Sequence, residues 1–159
     1  MSILDVSQHY AGSGIKKWIL MMPAKDIAHD AVRPALEKEG WTIIHDPFYV
    51  QLEDIDLYID LAAEKLLAAE KNGQRIAVEI KSFLGASAIT EFHNALGQFL
   101  NYRLALSFKE PQYQLYLAVP ANTYNSFFQR QLPRLAIQEY QLKLIVYNAR
   151  QPEIVKWIN

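Results

Sequence analysis

The feature that most limits how this chain can fold is one long helical stripe set between two strand-like runs. Ile89, Phe92, Leu96, Phe99, Leu100 and Leu104 recur at helical spacing and predict a helix over roughly 88–107, opened by Gly85-Ala-Ser87. Before it, Arg75 to Phe83 reads as a strand, apolar at Ile76, Val78 and Ile80. After it, Gln114 to Val119 reads as another strand, ending at Pro120. Strand, long amphipathic helix, strand is a crossover, so the helix must cover one face of a sheet that continues beyond it.

The remaining pattern completes that frame. Ile27, Ala28, Ala31, Val32, Ala35 and Leu36 predict an amphipathic helix over 25–39, with Pro34 as a candidate kink or late start near Arg33, and Gly40 as the stop. Trp41 to His45 and Asp56 to Leu61 read as two earlier strands, with a turn at Asp46-Pro47. Ala62 to Lys71 is rich in helix formers but short, and Asn72-Gly73 marks a turn. Residues 122–139 read as one or two helices broken at Pro133, followed by strands over Leu142 to Tyr147 and Ile154 to Ile158. The expected class is α/β with a mixed sheet, in the order α-β-β-β-α-β-α-β-β, with helices on both faces.

Residues 1–21 read differently. Gly12-Ser13-Gly14 interrupts them and periodicity is weak. The apolar stretch after Lys16-Lys17 is too short for a secretion signal and no small-residue cleavage site follows. They are expected to be an N-terminal extension outside the core, with Met22 as the natural beginning of a single domain over 22–159.

Composition narrows the function classes. No apolar run approaches the ~20 residues that cross a bilayer, so no membrane association is expected. The chain has no cysteine, which excludes disulfides and thiolate metal sites and fits a cytoplasmic protein. Net charge is −1. Residues 1–102 hold 14 acids against 9 bases, and residues 103–159 hold 3 against 7. A basic C-terminal part beside an acidic site suits a metal-dependent enzyme acting on a polyanion.

Chemistry concentrates at Asp60 and at Glu79-Ile80-Lys81. On a strand, Glu79 and Lys81 share a face, opposite Ile76, Val78 and Ile80. If the Asp60 run pairs with this strand, two carboxylates and one lysine meet. Hard divalent cations take carboxylate oxygens, so Asp60 and Glu79 are candidate ligands for Mg²⁺ or Mn²⁺, one or two ions, with the Ile80 carbonyl as a third oxygen. Lys81 would orient or help deprotonate a water, or stabilise charge on a phosphate. Gln98 and Tyr102 lie four apart on the long helix and share a face that can point at the cluster. Asp30, beside His29 on the first helix, is a further candidate acid. The histidines show no zinc-ligand spacing, Gly73, Gly85 and Gly97 form no phosphate loop, and Ser82 and Ser87 lack a triad context. Tyr124, Phe127 and Phe128 with Arg130 suit either base stacking or core packing.

Asp60, Glu79-Ile80-Lys81, Asp30 on a preceding helix, and Gln98 and Tyr102 on a following one are similar to the PD-(D/E)XK nuclease superfamily, whose core order is α-β-β-β-α-β. The resemblance implies a restriction-endonuclease-like core, Asp60 and Glu79 as metal ligands, Lys81 as the catalytic lysine, Gln98 as the helix glutamine and Asp30 as the first-helix acid. Ile59 stands where the family's proline precedes the acid. More closely, Met22-Pro-Ala-Lys-Asp-Ile-Ala-His-Asp30, Gly40-Trp41, Ala77-Val-Glu-Ile-Lys-Ser-Phe83, Ala95-Leu-Gly-Gln98 and Leu115-Tyr-Leu-Ala-Val-Pro120 resemble the fdxN-element excision controlling factor family, XisH-like proteins. That resemblance implies a part in programmed excision of a DNA element during heterocyst development, beside a site-specific recombinase and a small XisI-like partner protein.

Three readings follow. The first is a Mg²⁺-dependent endodeoxyribonuclease that helps excision. The second is a catalytically silent regulator on a nuclease fold, acting through the small partner and the recombinase. The third is a toxin-like nuclease restrained by that partner. Nuclease-fold proteins that cut both strands often dimerise, and Tyr140, Tyr147 and Trp157 are the expected surface for a homodimer.

Overall fold

The computed structural model describes residues 24–65 and 73–159. The expected extension over 1–21, and most of the expected helix after Lys65, lie outside the described residues. Helix α1 (Ala24–Lys38) leads into β1 (Thr42–His45), β2 (Phe48–Leu52), β3 (Ile55–Ile59), β4 (Leu61–Lys65) and β5 (Gln74–Ile80). Helix α2 (Ala88–Lys109) crosses to β6 (Gln114–Pro120). Then come the short helix α3 (Ala121–Asn125), a 3₁₀ turn (Phe127–Gln129), α4 (Gln131–Glu139), β7 (Leu144–Asn148) and β8 (Glu153–Ile158).

Six strands form one mixed sheet in the order β1-β4-β5-β6-β7-β8, and β2-β3 form a separate two-stranded sheet. Strands β1, β4 and β5 pair antiparallel in succession, β5-β6 and β6-β7 pair parallel, and β7-β8 pair antiparallel. Setting the β2-β3 hairpin aside, the chain runs α-β-β-β-α-β as far as β6, the expected order.

The period-two alternation of the strands sorts side chains between two cores. Ile76, Val78, Tyr116, Ala118, Ile145 and Tyr147 pack on one face with Ala28, Val32 and Leu36 of α1. Ala77, Leu115, Leu117, Leu144 and Val146 pack on the other with Phe92 and Phe99 of α2, Phe128 of the 3₁₀ turn and Ala136 of α4. The hairpin packs on this second side through Phe48, Val50 and Ile59. Helices therefore cover both faces.

Local chemistry explains the ends. Gly40 closes α1 at φ +90°, and the amides of Gly40 and Trp41 donate back to Glu37 and Leu36. The Ser87 hydroxyl accepts from the Thr90 amide at 3.4 Å and caps α2. Pro34 lies inside one continuous α1. Pro133 does not break the 121–139 region either. It occupies the first turn of α4, where an N–H would have no intrahelical partner, and the break falls between Asn125 and Gln131.

Two strand expectations change. The Asp56–Leu61 run is not one strand: β3 stops at Ile59, the chain bends at Asp60, and β4 begins at Leu61 in the other sheet. Ala62 to Lys65 is strand rather than helix. These residues pair with β5 from Ala62↔Ala77 to Lys65↔Gln74, and Leu61, Ala62 and Ala63 are wholly buried. Burial between two helical layers outweighs the helix propensity of Ala, Glu and Lys, a few tenths of a kcal/mol per residue, at roughly 25 cal/mol per Å² of apolar surface.

Candidate functional site

Strand β5 is the centre of the sheet, with β4 antiparallel on one side and β6 parallel on the other. Its C-terminal end carries Glu79 and Ile80, and Lys81 follows in extended register, its amide donating to Ala118 O at 2.9 Å. Tyr147, from the neighbouring strand but one, donates its hydroxyl to Lys81 O at 3.1 Å. Both the amide and the carbonyl of Lys81 are thus held.

Asp60 stands at the corner where the chain leaves the hairpin and enters the main sheet. It is buried, and its Oδ2 accepts a 2.7 Å hydrogen bond from the Ile80 amide. Glu79 is also buried, with Oε1 3.3 Å from Lys81 Nζ. Its Oε2 is buried with no hydrogen-bond partner among the described residues. Burial, and then the neighbouring charge of Asp60, push the Glu79 carboxyl up to about 7 against the pull of Lys81. Lys81 Nζ donates to Gln98 Oε1 at 2.5 Å. Tyr102 lies one helical turn beyond, its phenol raised by burial and by the charges of Glu79 and Asp60.

Glu79, Lys81, Gln98 and Tyr102 border a cleft of about 350 Å³ whose lining also includes Tyr58 and Glu91. Among the described residues Lys81 is the one base in that lining, which also carries the carboxylates of Glu79 and Glu91. Glu79 and Lys81 project toward α2. Asp30 does not join them. It is exposed on α1, which packs on the opposite face of the sheet, and its carboxylate lies 3.9 Å from His29 Nδ1. Among the described residues no group of three or more histidines and carboxylates is placed to hold a metal ion.

The family model described as XisH protein matches residues 22–155. The chain belongs to the XisH family. Two solved structures are close to it. An XisH family protein from Nostoc punctiforme PCC 73102 is 47% identical, covering 84% of this chain and 99% of that one, with a TM-score of 0.77. An fdxN element excision controlling factor protein from Anabaena variabilis is 49% identical over the same shares, with a TM-score of 0.76. No curated protein matches this chain.

Sequence reasoning missed part of this XisH-family cleft. Glu91 and Asn94 line it with Gln98 and Tyr102. The four positions follow i, i+3, i+7, i+11, one polar stripe along α2, and that spacing was the signal available. Glu91 Oε1 accepts from the Gly85 amide at 3.1 Å, while its Oε2 is buried with no hydrogen-bond partner among the described residues. Phe83 also lines the cleft. It holds a left-handed φ of +53°, and its ring meets Phe128 edge-on at 5.5 Å. Packing of that ring fixes a backbone that a side chain of this size rarely adopts.

Of the two readings of the Phe127-Phe128 pair, core packing holds, because both are buried. The expected dimer surface is corrected. Tyr147 is fully buried, and Trp157 packs against Trp41 and Tyr116 with its indole N–H on Glu39. Tyr140, Tyr147 and Trp157 therefore form no common surface.

Proposed function

We propose that this chain is a metal-dependent endodeoxyribonuclease of the PD-(D/E)XK type that serves excision of a DNA element. One observation carries the reading: Glu79, buried beside Asp60, keeps a carboxylate oxygen with no hydrogen-bond partner among the described residues, in a cleft that also holds Lys81. An acid driven up to about 7 by burial and a like charge is held in a costly state that a cation would relieve.

The donor set fits Mg²⁺ or Mn²⁺, which draw only one or two carboxylates from protein. Asp60 and Glu79 would hold one or two ions, with the Ile80 carbonyl as a further oxygen. Such an ion supplies Lewis-acid polarisation of a phosphate and a more acidic bound water.

The chain's own groups have distinct tasks. The Ile80 amide fixes the Asp60 carboxylate close enough to Glu79 for their charges to interact. Gln98 and Glu79 hold the Lys81 ammonium between them, so it meets an attacking water or a phosphate oxygen without searching rotamers. The raised Tyr102 phenol stays protonated and can donate to a phosphate oxygen. The part in excision rests on the relative named an fdxN element excision controlling factor protein. The order α1-β1-β4-β5-α2-β6 supports the superfamily.

The reading is tested with purified protein and linear, supercoiled, single-stranded and branched DNA in Mg²⁺ or Mn²⁺. Metal-dependent cleavage lost in Asp60→Asn and Glu79→Gln is the expected result. All four substrates left intact in both metals overturns it. The excess of acid over base in the cleft favours one second reading, a silent regulator on the same fold. Excision in vivo by a Lys81→Ala variant would decide for it.

A further inference from the structure

The β2-β3 hairpin stands outside the six-stranded sheet, yet it contributes Tyr58 to the wall of the cleft. Its inward residues Phe48, Val50 and Ile59 are buried, so its position relative to Glu79 and Lys81 is fixed by core packing. Its outward face is different. Tyr49 and Tyr58 are direct cross-strand partners, with ring centroids 5.3 Å apart and planes 40° to each other. Tyr49 is 46% exposed and Tyr58 58% exposed. The Tyr49 hydroxyl donates to Asp56 Oδ1 at 2.7 Å, which holds that ring in place.

We propose that Tyr58, backed by Tyr49, is a stacking platform for an unpaired base beside the scissile phosphate, so that the substrate is DNA with an unpaired nucleotide at the cut. The inference rests on the nuclease reading and names the substrate class of the same site. A cross-strand tyrosine pair alone explains hairpin stability. It does not explain why one of the two rings borders the cleft that holds the carboxylates and the lysine. Base–aromatic stacking needs an exposed π face and tolerates any base. A paired duplex keeps its π faces inside the stack and offers only edges and backbone, so a ring at the cleft wall gains contact only with a base that has left the helix. Tyr58 also lies two residues before Asp60, which stands at the bend just after β3, so a stacked base and the Asp60 carboxylate keep a fixed separation.

The test compares a duplex carrying 2-aminopurine in a one-nucleotide bulge with the fully paired duplex of the same sequence. Anisotropy and 2-aminopurine fluorescence are read with Ca²⁺ in place of Mg²⁺. Wild-type protein is expected to bind the bulged duplex about 10-fold more tightly and to change its fluorescence on stacking. Tyr58→Ala is expected to bind both duplexes alike, and Tyr58→Trp to keep the preference. Equal affinity of wild-type protein for the two duplexes overturns the platform and needs no variant to fold. So does a preference that survives Tyr58→Ala. Because these readouts need no cleavage, the two readings fail separately. Bulge preference without cutting keeps the platform and removes the nuclease. Cutting of paired and bulged DNA alike does the reverse.

Discussion

The Asp60 carboxylate accepts a 2.7 Å hydrogen bond from the amide of Ile80, twenty residues along the chain. One side chain thereby ties the corner between the two sheets to the end of the central strand. Asp60 has a structural task as well as a proposed chemical one, and substitutions there must separate the two.

Asp60→Ala leaves the Ile80 N–H buried and unpaired, which costs about 1–3 kcal/mol. Asp60→Asn keeps an acceptor in the same place and is expected to lose about 1 kcal/mol or less. Urea unfolding of the two variants measures the difference, and both are expected to lose metal-dependent cleavage. Equal stability of the two would show that the bond to Ile80 contributes nothing.

Glu79 makes stability depend on pH. Its carboxyl is pushed up from the ordinary 4.5 to about 7 in the folded protein. The folded state therefore holds a proton between these values that the unfolded chain releases. The contribution is fully present below about pH 4.5 and is lost as pH rises through about 7, by about 3 kcal/mol at most. Glu79→Gln removes that dependence. It is expected to be more stable than wild type at pH 8 and about equally stable at pH 5, in urea melts without added metal.

Lys81 is held by Gln98 at 2.5 Å and by Glu79 at 3.3 Å on the wall of an open cleft. Lys81→Ala is expected to lower cleavage at least about 100-fold, the scale of a lost acid–base or charge-stabilising group. Gln98→Ala frees the ammonium without removing it and is expected to cost about 10-fold or more through lost orientation. Single-turnover cleavage at saturating protein reads both. A Gln98→Ala rate equal to wild type would leave that tether without a role.

Tyr147 reaches Lys81 O from the neighbouring strand but one. Tyr147→Phe keeps the ring in the core and deletes one hydrogen bond, an expected loss of about 0.5–1.5 kcal/mol in urea unfolding. DNA affinity is expected to hold while the cleavage rate falls, because the change loosens the backbone that carries Lys81.

The pattern of Ile76, Val78 and Ile80 against Ala77, Glu79 and Lys81 was readable because a central strand must satisfy two buried faces at once. A polar pair on one of them is conspicuous. The glycine stop at Gly40 was readable for similar local reasons. The stripe on α2 was readable only in part: Phe92 and Phe99 face the core, but Ile89 and Leu104 are exposed, and Ala95, Ala105 and Leu106 complete the buried face. The β2-β3 hairpin was not readable. Phe48 to Leu52 is apolar or aromatic at four of its five positions, which masks the alternation its burial shows, and Asp56 to Leu61 reads as one run although it feeds two sheets. Ala62 to Lys65 looks helical until it is paired with β5.

By itself the sequence determined the mixed sheet, the helices on its two faces, and the strand that carries Glu79 and Lys81. These follow from periodicities and turn residues that act over a few neighbours. Only the tertiary structure decided that Asp60 sits at a bend and binds the Ile80 amide, and that Asp30 lies away from the cleft. It also decided that Glu91, Asn94 and Tyr58 line that cleft. Each of these depends on how separate elements pack, and packing sums contacts between residues far apart in the chain, which no local period records.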